Sequence, residues 1–417
     1  MHADRPPRRV VVTGRGVISP IGLTVADFWA SLMAGRSGIR TITSYDASQE
    51  PVQIGGEVVG FEPTNYLPRK VARRVDKFAH YAIAATVEAL EEAKLAIDED
   101  LSVRTGVLIG SALGANTVQH EGAVTYARRG YRGMPPWISA GAAIDSVSSE
   151  VATFTNVQGP SSSVSSACSS SITAISAAMR MIQCGITDVM LTGGADNGVT
   201  ATELGGAHMA RALSTRNDEP ELACRPFDAD RDGFVMSAGA GILVLEEAEH
   251  AIRRGAPIVA ELLGCGESSD CFHPSAPHPE GRGAKQAMRM ALAQAGIEPS
   301  DVDYINAHGT STVLNDRVEI AAIRDVFGAH AEQIPISSTK SSTGHMLGAA
   351  GAVELIACIQ AILDSTVPPT INCDNPEDQD INFVAHRPQE RDVTVALSNS
   401  FGFGGHNAVA VVRSWPQ

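Results

Sequence analysis

Short runs of apolar, mostly β-branched residues alternate along this chain with longer segments that carry apolar residues at helical spacing. The runs are residues 9–13, 105–109, 187–192, 241–246, 302–307, 392–399 and 408–412. Most are continuously apolar, which is the pattern of strands that are covered on both faces. Residues 77–95, 283–295 and 349–363 show helical periodicity between them. This alternation predicts an α/β protein with a buried sheet and constrains the fold more than any other feature.

The length of 417 residues suggests two or three cores, or one large fused core. We find no Pro-, Ser- or Gly-rich linker that would separate independent domains. We therefore expect two related halves in direct contact. The first is residues 1–255, which contain Cys168, and the second is residues 256–417, which contain two histidine motifs.

The charge balance argues against two classes of partner. There are 32 Lys and Arg residues against 47 Asp and Glu residues, which gives a net charge of −15. We therefore expect neither a nucleic acid nor an anionic membrane surface as the main partner. The longest uncharged stretches are broken by Gly, Ser, Thr and Pro, so we also expect no membrane insertion. The N-terminus lacks the apolar region of a signal peptide, and the 7 cysteines form no CxxC pair. We expect a soluble, cytoplasmic protein.

The sharpest chemical motif is Cys168 within the sequence SSACSSS. A helix-length segment follows at residues 172–184, and Gly185 is a suitable residue to end it. A thiol at a helix N-terminus is expected to have a lowered pKa, as a nucleophile requires. The alternative is a small buried hydrophobic side chain, and this is how we interpret the other six cysteines.

Two histidines stand in tight turns rich in small residues, at the ends of predicted elements. His308 lies in NAHGTST and His345 lies in STKSSTGH, five residues after Lys340. Two such imidazoles can donate hydrogen bonds to a carbonyl oxygen that becomes negative during a reaction. A single histidine in such a turn more often makes a structural hydrogen bond, and Lys340 can hold charge in the same pocket or be a solvated surface side chain.

Three other features carry less information by themselves. The sequence NSFGFGGHN, which contains Phe401 and Phe403, can bring a backbone N–H to an anionic oxygen or can simply be a tight connection. His273, His278 and residues 227–233 lack the further ligands of a metal site. Lys70, Arg73, Arg74 and Lys77 form a basic face at helical spacing, suited to solvent or to an acidic partner.

In this order, Cys168, NAHGTST, STKSSTGH and NSFGFGG closely resemble the β-ketoacyl-acyl carrier protein synthases of the elongating type, nearest to synthase II. The resemblance extends through VVVTGRGVISPIG, ALSTRND, RPFDADRDGFV and GHMLGAAGAVE, and so covers essentially the whole chain. It implies a thiolase-like, five-layered αβαβα fold of two pseudo-duplicated halves that works as a homodimer. It also implies a decarboxylative condensation of an acyl thioester with malonyl-acyl carrier protein, as in fatty-acid elongation.

The resemblance also implies roles for individual residues. Cys168 would accept the acyl chain, His308 and His345 would stabilise the enolate, and Lys340 and Glu354 would support the histidines. The backbone N–H groups of Cys168 and Phe403 would form the oxyanion hole. The remaining implied residues are Thr310 and Thr312 for the phosphopantetheine arm, Phe401, Gly402, Gly404 and Gly405 around the gate, and Lys70, Arg73 and Arg74 for carrier docking. No metal or other cofactor is implied.

Some positions depart from the family pattern. Ser precedes Ala167-Cys168 where Thr is more common, and Ser237-Ala238 replaces Gly-Glu. These departures leave open a ketosynthase of a dedicated type II polyketide or polyene pathway. A non-catalytic chain-length partner is disfavoured, because such partners lack the nucleophilic cysteine that is present here.

Overall fold

A computed structural model describes residues 7–416. The strands are β1 (Val10–Ile18), β2 (Arg40–Thr41), β3 (Ile54–Gly55), β4 (Thr105–Gly110), β5 (Ser161–Val164), β6 (Val189–Asn197), β7 (Ala238–Glu247), β8 (Ala260–Ser269), β9 (Tyr304–Asn306), β10 (Ile336–Ser337), β11 (Thr366–Val367), β12 (Gln389–Glu390), β13 (Val395–Gly402) and β14 (His406–Arg413). The helices are α1 (Val25–Met33), α2 (Arg69–Ala72), α3 (Lys77–Ala93), α4 (Glu99–Ser102), α5 (Asn116–Arg129), α6 (Ile138–Gly141), α7 (Ser146–Thr155), α8 (Ser170–Gln183), α9 (Ala201–Met209), α10 (Ala248–Arg253), α11 (Arg282–Ala295), α12 (Val313–Phe327), α13 (Lys340–Thr343) and α14 (Ala350–Asp364).

Two sets of strands with the same internal order make up the main sheet. In the first half the order is β5-β4-β6-β7-β1, and in the second half it is β10-β9-β13-β14-β8. When the strands of each half are numbered by their order in the chain, their order across the sheet is third, second, fourth, fifth and first in both halves. In both sets the first three strands are parallel and the last two pairings are antiparallel. The predicted pseudo-duplicated halves are confirmed, while the division at residue 255 stays a prediction.

The two sets of strands meet where β1 pairs with β8. Helices α8 and α14 contact each other and strands of both halves, so they form the central layer. Helices α3 and α7 cover the other face of the first set, and α11 and α12 belong to the outer layer of the second. Three large clusters of buried apolar residues separate these layers. The predicted αβαβα arrangement is therefore confirmed.

The central helix α14 is unusually apolar. The segment Leu347–Asp364 is long and hydrophobic enough to cross a membrane, but 83% of it is buried inside the protein. Its apolar side chains pack between the two sets of strands, as expected for the core helix of a five-layered protein.

The predicted helical face of Lys70, Arg73 and Arg74 is wrong in one respect. Helix α2 ends at Ala72, and α3 begins only at Lys77, with Asp76 as its N-cap. The three basic side chains are exposed, but they lie on a short helix and the turn that follows it. The break occurs because the Asp76 carboxylate accepts a hydrogen bond from the N–H of Phe78 in the first turn of α3, which favours a new helix start. Its other oxygen accepts from the N–H of Val118 on α5, which holds Asp76 in place.

Candidate active site

Cys168 lies in the turn between β5 and α8, two residues before the helix begins. The hydroxyl of Ser170 donates to the carbonyl of Ala167 at 2.6 Å, and that of Ser169 donates to the carbonyl of Ser166 at 2.8 Å. These bonds hold a turn in which Ala167 adopts a φ of +51°, a left-handed conformation that alanine rarely takes. The serines around the cysteine therefore fix the backbone that presents the thiol.

The structure brings the thiol and both predicted histidines together. The sulfur of Cys168 and one ring nitrogen each from His308 and His345 all lie within 4.8 Å of one another. The two imidazole rings are 5.3 Å apart between centroids and nearly perpendicular, at 81°. All three side chains are buried. Residues far apart in the sequence thus form one compact cluster, contributed by both halves of the fold.

Lys340 and Glu354 lie directly behind His308. The ammonium of Lys340 donates to the carbonyl oxygen of His308 at 2.6 Å and forms an ion pair with the Glu354 carboxylate. Both side chains are fully or almost fully buried. Burial raises the pKa of Glu354, and the neighbouring ammonium opposes that rise. The pair fixes the backbone at His308 and places a cation close to the thiol and the imidazoles.

Glu319 on α12 is a positioning group that the sequence analysis missed. Its carboxylate accepts hydrogen bonds from the N–H groups of His308 at 2.7 Å and Gly309 at 2.8 Å. The side-chain amide of Asn399 donates to the same carboxylate at 3.0 Å. Because Glu319 is completely buried, its pKa is raised to about 7 despite these donors. The sequence signal for this role was that an acidic residue lies at helical spacing from the apolar residues on the buried face of α12.

The electrostatics of Cys168 differ from the sequence expectation. Burial raises the pKa of its thiol to about 11, although the Lys340 charge and the N–H groups of Phe403 and Cys168 favour the thiolate. The prediction of a lowered pKa is therefore wrong for this closed site. The desolvation of sulfur outweighs the effect of the helix terminus, which the sequence alone could not weigh.

Both imidazoles are neutral in this environment. Burial and the charge of Lys340 lower the pKa of His308 and of His345 well below the usual range for histidine. Among residues 7–416, neither ring nitrogen of His345 has a hydrogen-bond partner, and Nδ1 of His308 has none. Buried polar atoms of this kind are rarely left unpaired unless they serve a ligand. The cluster can therefore donate hydrogen bonds to a bound carbonyl oxygen without carrying charge itself.

A cavity of about 300 Å³ leads to this cluster. Its lining includes Cys168, both histidines, Phe401 and Phe403, together with Thr310, Thr312, Gly402 and Gly405. The hydroxyls of Thr310 and Thr312 are 2.9 Å apart. Phe403 is 43% exposed, and Gly404 and Gly405 beside it have φ values of +80° and +75°, which favour glycine. The predicted loop residues thus lie at or beside the mouth of the cavity.

The loop also needs glycine at position 402, because a side chain there would be too close to the nucleophile turn. A Cβ atom at this position would lie 2.9 Å from the carbonyl oxygen of Ser166 and 3.0 Å from the backbone nitrogen of Cys168. The end of β13 therefore passes directly against the nucleophile turn. This close approach brings the N–H of Phe403 to the sulfur.

The predicted docking residues are not part of this cluster. Lys70, Arg73 and Arg74 are absent from the lining of the cavity, and Arg74 lies 3.8 Å from the carboxylate of Glu150. The prediction that the site holds no metal also stays a prediction. Cysteine and histidine are ligands that zinc prefers, and their atoms here are close enough to share an ion.

Comparisons with known proteins agree with this geometry. Residues 7–251 match the family described as "Beta-ketoacyl synthase, N-terminal domain", and residues 259–374 match "Beta-ketoacyl synthase, C-terminal domain". A curated relative, 3-oxoacyl-[acyl-carrier-protein] synthase 2 of Synechocystis sp., is 44% identical over 99% of this chain and 100% of its own length.

Solved structures give the same result. The ishigamide ketosynthase/chain length factor superposes with a TM-score of 0.91 at 36% identity, covering 98% of this chain and 100% of that chain. A type II polyketide ketosynthase, solved with its acyl-carrier protein, has a TM-score of 0.89 at 33% identity over 98% and 100% of the two chains. The predicted resemblance is confirmed: this chain belongs to the β-ketoacyl synthase family.

Proposed function

We propose that this protein catalyses the decarboxylative condensation of an acyl thioester with malonyl-acyl carrier protein, giving a 3-oxoacyl-acyl carrier protein in fatty-acid elongation. The observation that carries the proposal is the buried cluster of one thiol and two neutral imidazoles within 4.8 Å. The relative from Synechocystis sp., 44% identical over its full length, bears the name of this activity.

In the first step the sulfur of Cys168 attacks the carbonyl carbon of the acyl thioester. A new carbon–sulfur bond forms, the bond to the carrier sulfur breaks, and the thiol proton ends on the departing carrier thiol. The N–H groups of Cys168 and Phe403 both already favour negative charge on the sulfur. The same pair is suited to bind the oxyanion that forms next to it. The covalent intermediate divides a difficult transfer into two easier steps.

In the second step malonyl-acyl carrier protein loses carbon dioxide. The electron pair of the broken carbon–carbon bond forms an enolate, which attacks the acyl group on Cys168 and expels its sulfur. One proton from solvent returns to that sulfur. Neutral His308 and His345 can each donate one N–H to the enolate oxygen, a role that suits an uncharged imidazole in a water-poor site. The overall reaction involves no net oxidation or reduction, and the two imidazoles can supply the hydrogen-bond donors for the enolate, so we propose that it needs neither a redox cofactor nor a metal.

We propose further that an acyl carrier protein delivers both substrates. Lys70, Arg73 and Arg74 are exposed on a chain whose net charge is −15, and a local basic surface attracts an acidic carrier. Thr310 and Thr312 at the cavity lining would contact the phosphopantetheine arm. We also propose that the protein works as a homodimer in the cytoplasm.

A second candidate is the ketosynthase of a dedicated polyketide or polyene pathway. The superposition with the ishigamide and type II polyketide ketosynthases favours it, since each covers 98% of this chain. The two candidates share the same chemistry at Cys168, His308 and His345. They differ in the carrier protein that is accepted.

The test is a product assay with two carrier proteins. Purified protein is supplied with acyl and malonyl groups on a fatty-acid carrier or on a type II polyketide carrier, and products are identified by mass spectrometry. Formation of a 3-oxoacyl product with the fatty-acid carrier supports the proposal. Product with the polyketide carrier alone would support the second candidate, and no product with either would contradict both.

A further inference from the structure

A segment of the first half, residues 233–238, lies between the two histidine loops of the second half. The N–H of Gly233 donates to the carbonyl of Ser311 at 3.1 Å, in the loop that carries His308. The N–H of His345 donates to the carbonyl of Val235 at 2.8 Å, and the N–H of Ser237 returns a bond to His345 at 3.0 Å. This segment therefore fixes the backbone of both loops.

Hydrogen bonds do not fix the ring of His345 in the same way. Both of its ring nitrogens lack a hydrogen-bond partner in the part of the chain that the structure describes, so no carboxylate or carbonyl there sets the plane of the imidazole. Two aromatic rings contact it instead. The ring centroid of Phe234 lies 5.3 Å from that of His345, with an angle of 79° between the ring planes. The ring centroid of His308 also lies 5.3 Å from it, with an interplanar angle of 81°. Edge-to-face pairs of this kind have a preferred geometry and resist rotation.

Phe234 is itself held rigidly. Its N–H donates to the carbonyl of Ala212 at 2.9 Å, and its carbonyl accepts from the N–H of Ser214 at 3.0 Å. The side chain is 5% exposed and lines the cavity beside Cys168. A fixed ring on a fixed backbone is suited to orient a neighbouring ring that has no hydrogen bond of its own.

We propose that Phe234 is a positioning residue for His345 and acts in the decarboxylation of the malonyl group. This inference rests on the proposed condensing function. The expected result is a change in the ratio of the decarboxylation rate to the acyl-loading rate, because His345 stabilises the enolate and Cys168 accepts the acyl group. A purely structural defect would lower both rates together.

The first experiment measures that ratio in the full-length protein. Decarboxylation of malonyl-acyl carrier protein is followed with F234L placed in a Cys168→Gln background, and acyl loading is followed with F234L in the wild-type background. We expect decarboxylation to fall about tenfold, which corresponds to about 1.4 kcal/mol, and loading to fall much less. The matched control is F327L, which removes a buried ring from an outer layer away from the cavity.

The second experiment separates positioning from direct contact with substrate. The F234L substitution is repeated in a protein that also carries H345N, again with Cys168→Gln. If Phe234 acts through His345, its effect on decarboxylation disappears in this background. An undiminished tenfold effect, or equal loss of loading and decarboxylation, would overturn the inference. Absence of decarboxylation in the Cys168→Gln parent, together with absence of condensation by the wild type, would instead contradict the proposed function.

Discussion

At the scale of residues, the site combines a protonated thiol with neutral bases. Cys168 is shielded from water, so its thiol keeps its proton at neutral pH even though a helix begins two residues later. His308 and His345 remain uncharged for the same reason. The site therefore holds its reacting groups without net charge, and the buried ion pair of Lys340 and Glu354 supplies the local field.

The raised pKa of Cys168 predicts a distinctive alkylation profile. The rate of reaction with iodoacetamide should rise continuously between pH 7 and pH 10, because the thiolate fraction still increases below a pKa of about 11. Mass spectrometry of the modified cysteine measures this rate, and C168A controls for the exposed Cys184 and Cys271. A rate that reaches a plateau below pH 8 would show that the thiolate forms far more easily than burial allows.

Glu319 predicts a loss of stability when its carboxylate is removed. E319A leaves the buried N–H groups of His308 and Gly309 without an acceptor, and each such group costs about 1–3 kcal/mol. We expect the free energy of unfolding to fall by about 2–6 kcal/mol in urea denaturation. Stability equal to that of wild type would mean that these bonds are not needed to form the His308 loop.

The charge of Glu319 can be examined separately with E319Q. The pKa in the folded protein, about 7, lies above the ordinary value of 4.5 because of burial. The stability that this group contributes is therefore present below about pH 4.5 and is lost as the pH rises to about 7. The stability of wild type relative to E319Q should fall across that window. A relative stability that rises with pH would contradict the direction of the shift.

At the scale of elements, glycines in the first strand of each half permit a helix to pack very closely. A Cβ at Gly14 or Gly16 of β1 would lie 1.9 Å from carbonyl oxygens of α3. A Cβ at Gly266 of β8 would lie 2.0 Å from the carbonyl oxygen of Ala287 on α11. Strand and helix occupy corresponding places in the two halves. The pseudo-duplication therefore extends from strand order to the packing of single residues.

This packing predicts opposite effects for two glycine-to-alanine substitutions. G266A forces a methyl group into the backbone of α11 and should lower the free energy of unfolding by about 3 kcal/mol. The methyl group added by G205A on α9 meets no atom of the described residues within 4 Å, and the substitution should raise the free energy of unfolding by about 1 kcal/mol through helix propensity. Thermal and urea unfolding measure both. Similar effects of the two substitutions would contradict the close approach of β8 and α11.

Two strands of the main sheet, β8 and β5, were not predicted from the sequence. Strand β8 was not predicted, because Gly264, Gly266 and two glutamates interrupt its apolar pattern. The serines of β5 gave no strand signal either, since β5 lies at one edge of the sheet. Helices α3, α11 and α14 were predicted within one or two residues, because α3 and α11 each pack an apolar face against a sheet and α14, buried on nearly every side, is mostly apolar.

At the scale of the whole molecule, the motifs identified the site, but only the structure showed how its parts meet. Cys168, His308 and His345 were recognisable from local sequence and from the resemblance to a family. The distances from Cys168 to the two histidines, and the support from Phe234, depend on contacts between the two halves, while the support from Glu319 depends on contacts between separate elements of the second half. No local pattern predicts such contacts. The pKa of Cys168 is raised rather than lowered because its thiol is desolvated, and this desolvation likewise depends on how completely the folded protein buries the side chain.

The most direct test of the central claim is intact-protein mass spectrometry of wild type and C168A. The protein is first given an acyl group of medium length on a fatty-acid carrier protein and then malonyl on the same carrier. We predict that wild type gains the mass of one acyl group at Cys168, loses it on malonyl addition and releases a 3-oxoacyl carrier product. We predict that C168A keeps its fold by circular dichroism and gains no mass. Loading of C168A to the same extent, or an acyl group on wild type that malonyl does not remove, would contradict Cys168 as the nucleophile of a condensing enzyme.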